Sequence, residues 1–304
     1  MTPTSGNNSL QQIHAEAAGE KSHMMKRASL LTLSGVSFLI IIKLVAWIMT
    51  GSLSLLSSLV DSAMDLLASL SNYFAIRYAL VPPDNEHRFG HGKVEYIAGM
   101  GQALFISITA LIVAAEAVHR FFAPVPVHES EVGIVVMLIS IVVTLGMVFY
   151  QKKAIAHTDS TAVKADYVHY VMDVLANGAV IIALLLVSGF GWIWADPLFA
   201  LAIAVYILKG AWQVGVTSFQ NLMDHEFDTC ERERIAEVVL AHPQVKGLHE
   251  LKTRRSGLLA FIQLHIDVSG DLKLIQAHAI TEQVEANIRQ LHPNAEVLIH
   301  TDPV

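Results

Sequence analysis

Two pairs of ionisable residues interrupt apolar segments of this chain. Asp61 and Asp65 lie in one segment, and His169 and Asp173 lie in another. Each pair is spaced four residues apart, so on a helix both members occupy one face. A charged side chain at mid-bilayer costs roughly 2.5–3.5 kcal/mol on insertion scales, and such residues usually have a function. Packed together, the two segments offer three carboxylates and one imidazole, which suit a tetrahedral divalent cation such as Zn²⁺.

An alternative interpretation makes these groups helix caps or partners of lysines. Lys43 is the one other strong charge expected at a comparable depth. A single ammonium cannot neutralise three carboxylates, so a metal site is the favoured interpretation.

A second group of candidate ligands follows the first pair. Asp84, His87 and His91 have the spacing D-x₂-H-x₃-H. A helical turn through this segment would place all three side chains on one face. Histidines are also common in solvated loops. On spacing alone, a second zinc site and a plain polar loop both stay open.

The composition indicates where these residues lie. Of 304 residues, 53% are hydrophobic and 15% are charged, and the mean hydropathy is +0.49. A soluble domain carries roughly 25% charged residues, so most of this chain is too apolar to face water. The formal net charge of −7 argues against a nucleic-acid partner. The single cysteine, Cys230, excludes an intrachain disulfide and a zinc site built on four cysteines.

Six stretches are long and apolar enough to span a bilayer, which takes about 20 residues. They are Leu30–Met49, Leu55–Arg77, Tyr96–Phe121, Gly133–Tyr150, Val163–Val187 and Trp194–Phe219. Basic residues concentrate before the first stretch and in the loops after the second and the fourth, so we expect both termini to be cytoplasmic. We therefore predict a loose polar tail at residues 1–25, a membrane domain at 26–222 and a cytoplasmic domain at 223–304.

The last segment is charged and has no apolar span. Its predicted elements follow the order helix, strand, strand, helix, strand. They occupy Glu231–Ala241, Gly247–Arg255, Leu259–Asp267, Ala277–Leu291 and Glu296–His300. Pro303 is expected to stop the last strand. The order α-β-β-α-β predicts a small two-layer, ferredoxin-like α+β domain.

These features together resemble the cation diffusion facilitator family, in its bacterial zinc and ferrous-iron efflux branch. The resemblance rests on Asp61-Ser-Ala-Met-Asp65, on His169-Tyr-Val-Met-Asp173, on six spans and on the α+β tail. It implies a homodimer in the bilayer of the bacterial inner membrane, and a secondary transporter rather than an enzyme. Its expected activity is efflux of Zn²⁺, with Fe²⁺ or Cd²⁺ as alternatives, from cytosol to periplasm in exchange for protons.

The resemblance also assigns residues and ions in the tail. It implies a binuclear zinc site at the interface of two tails. His249 and His265 would hold one ion. His278 and His300 would hold the other, and Asp302 would bridge the two. Zn²⁺ is then both the substrate and a structural or regulatory ion, and the resemblance favours zinc at the segment after the second span as well.

Lys93 and Asp224 are a further pair that the resemblance singles out. It implies an ionic lock between the protomers near the membrane surface. The alternative is two unrelated surface charges, and an exposed pair of this kind is worth about 0–1 kcal/mol.

Two other classes of protein stay open on the sequence. An intramembrane metalloenzyme would be expected to show H-E-x-x-H on a span, and the chain has no such motif. A passive channel would conduct metal without a pH gradient, and a metal receptor would bind without flux. The sequence has no Walker A motif, so the proton gradient rather than ATP is the expected energy source.

Overall fold

The computed structural model describes residues 5–51, 53–122, 131–190 and 194–304. The described residues form eight helices and three strands. In chain order these are α1 (Ser5–Thr50), α2 (Leu53–Ala79), α3 (Val94–Phe122), α4 (Glu131–Thr158), α5 (Thr161–Phe190), α6 (Ala195–Leu222), α7 (Thr229–Leu240), β1 (Gly247–Ser256), β2 (Leu259–Val268), α8 (Leu274–Leu291) and β3 (Ala295–Pro303).

The chain divides into two compact units. The helical unit comprises His23–Tyr78 and Val94–Phe219. The tail unit comprises Met1–Ser22, Ala79–Lys93 and Gln220–Val304. The segment between α2 and α3 therefore belongs with the tail, although it is far from the tail in sequence.

The helices of the helical unit are long enough to cross a bilayer. The shortest, α2, has 27 residues, which is about 40 Å of helix against a hydrocarbon core of about 30 Å. Large apolar side chains such as Leu104, Val142 and Val205 are exposed on these helices, as lipid contact requires. Within the described residues, four segments are long and apolar enough to span. They are Gly19–Thr50, Val94–Phe122, Val132–Thr158 and Pro197–Leu222.

The first helix begins earlier than expected. The predicted loose tail covers residues 1–25, of which the structure describes those from Ser5 onward. For these the prediction of a loose segment is wrong, because α1 starts at Ser5 and continues without a break to Thr50. Leu, Gln, Ala and Glu, all good helix formers, predominate between residues 10 and 18. The low hydropathy of residues 10–18 argues against a position in the bilayer, but it does not argue against a helix.

Helix α5 packs against α3 and α4. Small side chains are buried in two core clusters shared by α3, α5 and α6, among them Ala103, Ala165 and Ala211. Small residues let helices approach closely in an apolar environment. This packing fixes the position of α5, which carries two of the predicted ligands.

The tail unit contains a three-stranded mixed sheet in the order β1-β2-β3. β1 and β2 are antiparallel, and β2 and β3 are parallel. Residues of α7 and α8 form a core with one face of the sheet, which includes Ile262, Leu264 and Ile266. The predicted order α-β-β-α-β is confirmed. β3 runs through Pro303 rather than ending before it, because an edge strand tolerates the missing N–H.

The other face of the sheet, here called the open sheet face, carries the polar residues. A bulge interrupts β1 between His249 and Lys252, and Glu250 has a φ of 49°. The extra residue shifts the alternation of side chains, so Arg254 pairs with Phe261 on the same face as His249.

Candidate metal centres

The helical unit brings three of the four predicted ligands together. Ligand atoms of Asp65, His169 and Asp173 all lie within 4.8 Å of one another. His169 Nε2 lies 3.0 Å from Asp65 Oδ1, and the His169 side chain is 4% exposed. Two carboxylates and an imidazole at these distances supply the oxygen and nitrogen ligands that Zn²⁺ takes in proteins.

Buried hydrogen bonds between α2 and α5 hold this group in place. The hydroxyls of Ser69 and Tyr170 are hydrogen-bonded to each other. The amide of Asn72 donates to the Ala162 carbonyl at 3.2 Å. All four residues are buried, and a hydrogen bond of this kind stabilises by about 1 kcal/mol net.

Asp61, the fourth predicted ligand, lies outside the group formed by the described residues. It is exposed, and it lines a cavity of about 510 Å³ together with Glu116 and Arg120. Asp61 and Asp65 are one turn apart on α2, as the spacing predicts. The structure therefore assembles three ligands and leaves the fourth at the edge of a cavity.

Two further polar groups lie near the cluster. Lys43 Nζ donates to Ser62 Oγ at 2.6 Å, and Lys43 interacts electrostatically with the nearby aspartates. Asp166, also on α5, is buried and accepts a hydrogen bond from Gln151 Nε2 at 3.2 Å. Asp166 is not among the predicted ligands, although an aspartate inside an apolar span is itself a signal of function.

The α2–α3 loop, residues 80–93, brings its three predicted ligands together. Ligand atoms of Asp84, His87 and His91 lie within 4.8 Å of one another. His87 Nδ1 lies 3.4 Å from Asp84 Oδ1, and His91 Nε2 lies 3.3 Å from Asp84 Oδ2. His91 Nδ1 faces the Val81 carbonyl at 3.3 Å. A carbonyl only accepts, so Nδ1 donates to it and Nε2 is the nitrogen that faces Asp84.

A turn rather than a helix positions these ligands. Asp84 Oδ1 accepts hydrogen bonds from the backbone N–H groups of Glu86 at 2.9 Å and His87 at 2.6 Å. The His87 N–H in particular holds the pKa of the Asp84 carboxyl below its usual value. Gly90 has a φ of +77°, and its backbone N–H donates a hydrogen bond to the His87 carbonyl that closes the turn. The helical turn considered for this spacing is not formed, yet the side chains converge.

The α2–α3 loop packs on the open sheet face. The Arg254 guanidinium lies 5.2 Å from the centroid of the Phe89 ring and 4.4 Å from that of Phe261. The two rings contact each other edge to face. The backbone of Gly92 passes so close to Ser256 that an added Cβ would overlap the Ser256 carbonyl. These contacts explain why the loop belongs to the tail unit.

The predicted Lys93–Asp224 pair is present within one chain. Lys93 Nζ lies 2.8 Å from Asp224 Oδ1, and Arg254 Nη1 lies 3.3 Å from the same oxygen. Partial burial alone would raise the pKa of Asp224, but the hydrogen bonds from both cations hold it below its usual value. Arg254 is a third member of this group, and sequence spacing contained no signal for it.

Imidazoles and carboxylates form two rows across the open sheet face. Each row consists of one residue from each of the three strands, which strand pairing places side by side. The first row is His249, His265 and His300, and the second is Gly247, Asp267 and Asp302. Sequence analysis missed Asp267, whose signal was its i, i+2 spacing from His265.

Asp302 lies between three of the histidines. Its Oδ2 is 3.4 Å from His249 Nε2 and 2.9 Å from His265 Nδ1. Its Oδ1 is 3.4 Å from His300 Nε2. The hydrogen bond from His265, with His300 and His249 nearby, holds the pKa of Asp302 below its usual value. Its two oxygens thus face different histidines, an arrangement that suits a carboxylate bridging two ions.

His278 is the one predicted tail ligand that the structure does not bring to this group. It lies on α8, its side chain is 69% exposed, and its Nε2 is 3.5 Å from Glu282 Oε1 on the same helix.

Comparison with known proteins identifies the family. Residues 29–223 match the cation efflux transmembrane domain, and residues 227–304 match the cytoplasmic domain of cation efflux proteins. The chain belongs to the cation efflux, or cation diffusion facilitator, family. The cation-efflux pump FieF of Shewanella oneidensis is 45% identical over 92% of this chain and 94% of that protein. FieF of Citrobacter koseri is 44% identical over 92% and 93%.

A solved structure of the metal-bound C-terminal domain of the CzcD transporter from Thermotoga maritima also matches. It is 28% identical, covers 24% of this chain and 87% of that one, and has a TM-score of 0.24. The family assignment rests on the full-length matches. As a cation efflux protein, this chain is a multi-pass membrane transporter and not an enzyme. The predicted family is confirmed, and so are a helical membrane domain and a cytoplasmic domain with a small mixed sheet; the count of six spans stays a prediction.

Proposed function

We propose that this cation efflux protein is a homodimeric antiporter in the bacterial inner membrane, with six spans and both termini in the cytoplasm. It exports Zn²⁺ from cytosol to periplasm in exchange for protons, and Fe²⁺ and Cd²⁺ are alternative substrates. The group of Asp65, His169 and Asp173, with a buried imidazole and two half-buried carboxylates, carries this proposal. Ionisable residues inside an apolar helical unit usually have a function, and binding of a transported cation is one that these ligands can perform.

Competition for the same atoms couples metal to protons. A metal ion needs a neutral imidazole and ionised carboxylates, so its binding displaces protons from this site. When the site faces the periplasm, protons displace the metal. The metal ion and the protons favour different populations of the inward-facing and outward-facing states. Asp61 lies one turn from Asp65 and already borders a cavity. In this proposal it completes the shell as the fourth ligand when α2 and α5 shift.

The other two clusters are proposed as resident zinc sites. Asp84, His87 and His91 would hold a structural ion in the α2–α3 loop. The tail would hold two regulatory ions with Asp302 as the bridge, which its two differently directed oxygens support. His278, which is 69% exposed, would complete the second ion site at the interface of the two tails. Lys93 and Asp224 pair within one chain in the structure. In the dimer they would form an ionic lock between the protomers near the membrane surface.

The direct test is transport by full-length protein in proteoliposomes with an imposed pH difference. Wild-type protein should move Zn²⁺ and protons in opposite directions. Asp65→Ala and Asp173→Ala should abolish both fluxes while the protein still elutes as a dimer. Asp271→Ala, which removes a carboxylate of the tail unit outside the three clusters, is the matched control. Addition of Fe²⁺, Cd²⁺ or Mn²⁺ as competitors ranks the substrates.

Three results would contradict the proposal. Full transport by Asp173→Ala would exclude the site in the helical unit. Zinc flux that is independent of the pH difference and moves no protons would indicate a passive channel. Binding of Zn²⁺ without flux would indicate a receptor.

A further inference from the structure

Asp267 is a carboxylate of the open sheet face that none of the proposed sites uses. It lies on the central strand β2, paired with Gly247 on one side and with Asp302 on the other. Its Oδ1 is 3.5 Å from His249 Nδ1. The other nitrogen of that ring, Nε2, is 3.4 Å from Asp302 Oδ2. The His249 ring therefore has a carboxylate at each of its two nitrogens.

Gly247 makes room for this carboxylate. A Cβ at residue 247 would overlap Asp267 Oδ2. The φ of Gly247 is not positive, so the backbone conformation does not require glycine here. A glycine in a strand often marks a place where another group approaches closely. The approaching group here is the Asp267 carboxylate.

We infer that Asp267 is a positioning residue for the tail metal site, an inference that rests on the proposed zinc site at His249, His265 and Asp302. With its Oδ1 3.5 Å from His249 Nδ1, Asp267 favours a proton on Nδ1 and so the tautomer in which Nε2 presents its lone pair to the metal. Histidine ligands almost always donate their second N–H to a carboxylate, a carbonyl or water. In the α2–α3 loop, His91 makes the equivalent contact with the Val81 carbonyl.

Charge supports the same assignment. Adjacent strands lie about 4.8 Å apart, so Asp267 and Asp302 place two negative charges side by side on the open sheet face. Like charges this close repel, and a cation held by the neighbouring histidines relieves that repulsion. Asp267 therefore strengthens binding both through His249 and through its own charge.

The test measures zinc binding at individual histidines of the full-length protein in detergent. Zn²⁺ is titrated, exposed imidazoles are modified with diethyl pyrocarbonate, and peptides containing His249 and His265 are quantified by mass spectrometry. Loss of such a partner typically weakens metal binding about 10–100-fold. Asp267→Ala should therefore raise the Zn²⁺ concentration for half-protection at least about 10-fold. Asp267→Asn keeps an acceptor oxygen and should restore part of the loss.

Gly247→Ala perturbs the same contact from the opposite strand. Its Cβ displaces the carboxylate without removing it, so the midpoint should rise as it does for Asp267→Ala. His87 and His91, read in the same spectra, should keep their wild-type midpoints in every variant. Asp271→Ala should leave all midpoints unchanged.

Equal midpoints for wild type, Asp267→Ala and Gly247→Ala would overturn the inference, as would a loss in Asp267→Asn as large as that in Asp267→Ala. A different result identifies failure of the underlying site. If Zn²⁺ does not protect His249 and His265 even in the wild-type protein, the proposed tail zinc site is absent and the positioning role disappears with it.

Discussion

Arg254 holds the α2–α3 loop on the open sheet face, and its removal should release the loop. Its guanidinium contacts the rings of Phe89 and Phe261 and pairs with Asp224, and its side chain is 23% exposed. A cation–π contact contributes about 0.5–1 kcal/mol at exposed sites and about 2 kcal/mol when desolvated. A partly exposed ion pair adds about 0–1 kcal/mol. Arg254→Ala should therefore weaken docking by about 2 kcal/mol, which is about 30-fold in the opening equilibrium.

Hydrogen exchange of the peptide covering residues 79–93 measures this opening. When closing is fast, the exchange rate of a protected amide follows the population of the open state. The backbone amide of Gly90, which donates to His87, is a suitable reporter. Arg254→Ala should accelerate exchange about 30-fold. Arg254→Lys keeps the charge but loses the planar stacking surface, so its effect should be intermediate.

Arg289→Ala is the matched control. Arg289 also belongs to the tail unit, but its partner is Glu285 on the same helix, at 2.7 Å. Its removal should leave the loop peptide unchanged. If Arg254→Ala exchanges at the wild-type rate while β2 peptides stay protected, Arg254 does not hold the loop, and the contacts of Gly92 with Ser256 are sufficient.

Two further predictions concern histidines. His87→Ala combined with His91→Ala should lower bound Zn²⁺ by one ion per protomer in elemental analysis, because Asp84 alone cannot hold the ion; an unchanged count would show that these histidines are not ligands. Burial, with a contribution from Arg255, lowers the pKa of His292. The unfolded chain therefore binds more protons as pH falls through the ordinary value of about 6.5, and the tail unit loses stability below it. Pulse proteolysis in urea at about pH 8 and about pH 5.5 should show a smaller loss for His292→Gln than for wild type, and equal losses would refute the linkage.

The architecture of the tail was predictable because β2 alternates regularly. Ile262, Leu264 and Ile266 face the helices, while His265 and Asp267 face away. A period of two residues gives both the strand and the face of each side chain. The same pattern predicts which of its residues can share a metal ion.

The bulge in β1 was not predictable, and it decides which side chain meets the α2–α3 loop. No residue type near Glu250 demands an extra residue in the strand. With regular alternation from His249, Thr253 would take the place opposite Phe261 that Arg254 occupies. Contacts that depend on the strand register therefore cannot be predicted from the alternation of residues in the sequence.

The candidate site of the helical unit shows the corresponding limit for helices. The spacing of four residues predicts that Asp61 and Asp65 share a face of α2, and they do. How far α2 is rotated and shifted against α5 depends on packing between helices. That packing brings Asp65 to His169 and leaves Asp61 at a cavity.

The α2–α3 loop packs on the strand that carries His265 of the proposed tail metal site. Covalently, it continues from α2, which carries Asp65, and it leads into α3. Its Phe89 packs on Phe261, which lies on β2 four residues before His265 and so about 13 Å from it along the strand. β2 is hydrogen-bonded on both sides, so its two ends cannot slip relative to each other. The docked loop and the histidines of the proposed tail site therefore contact the same strand.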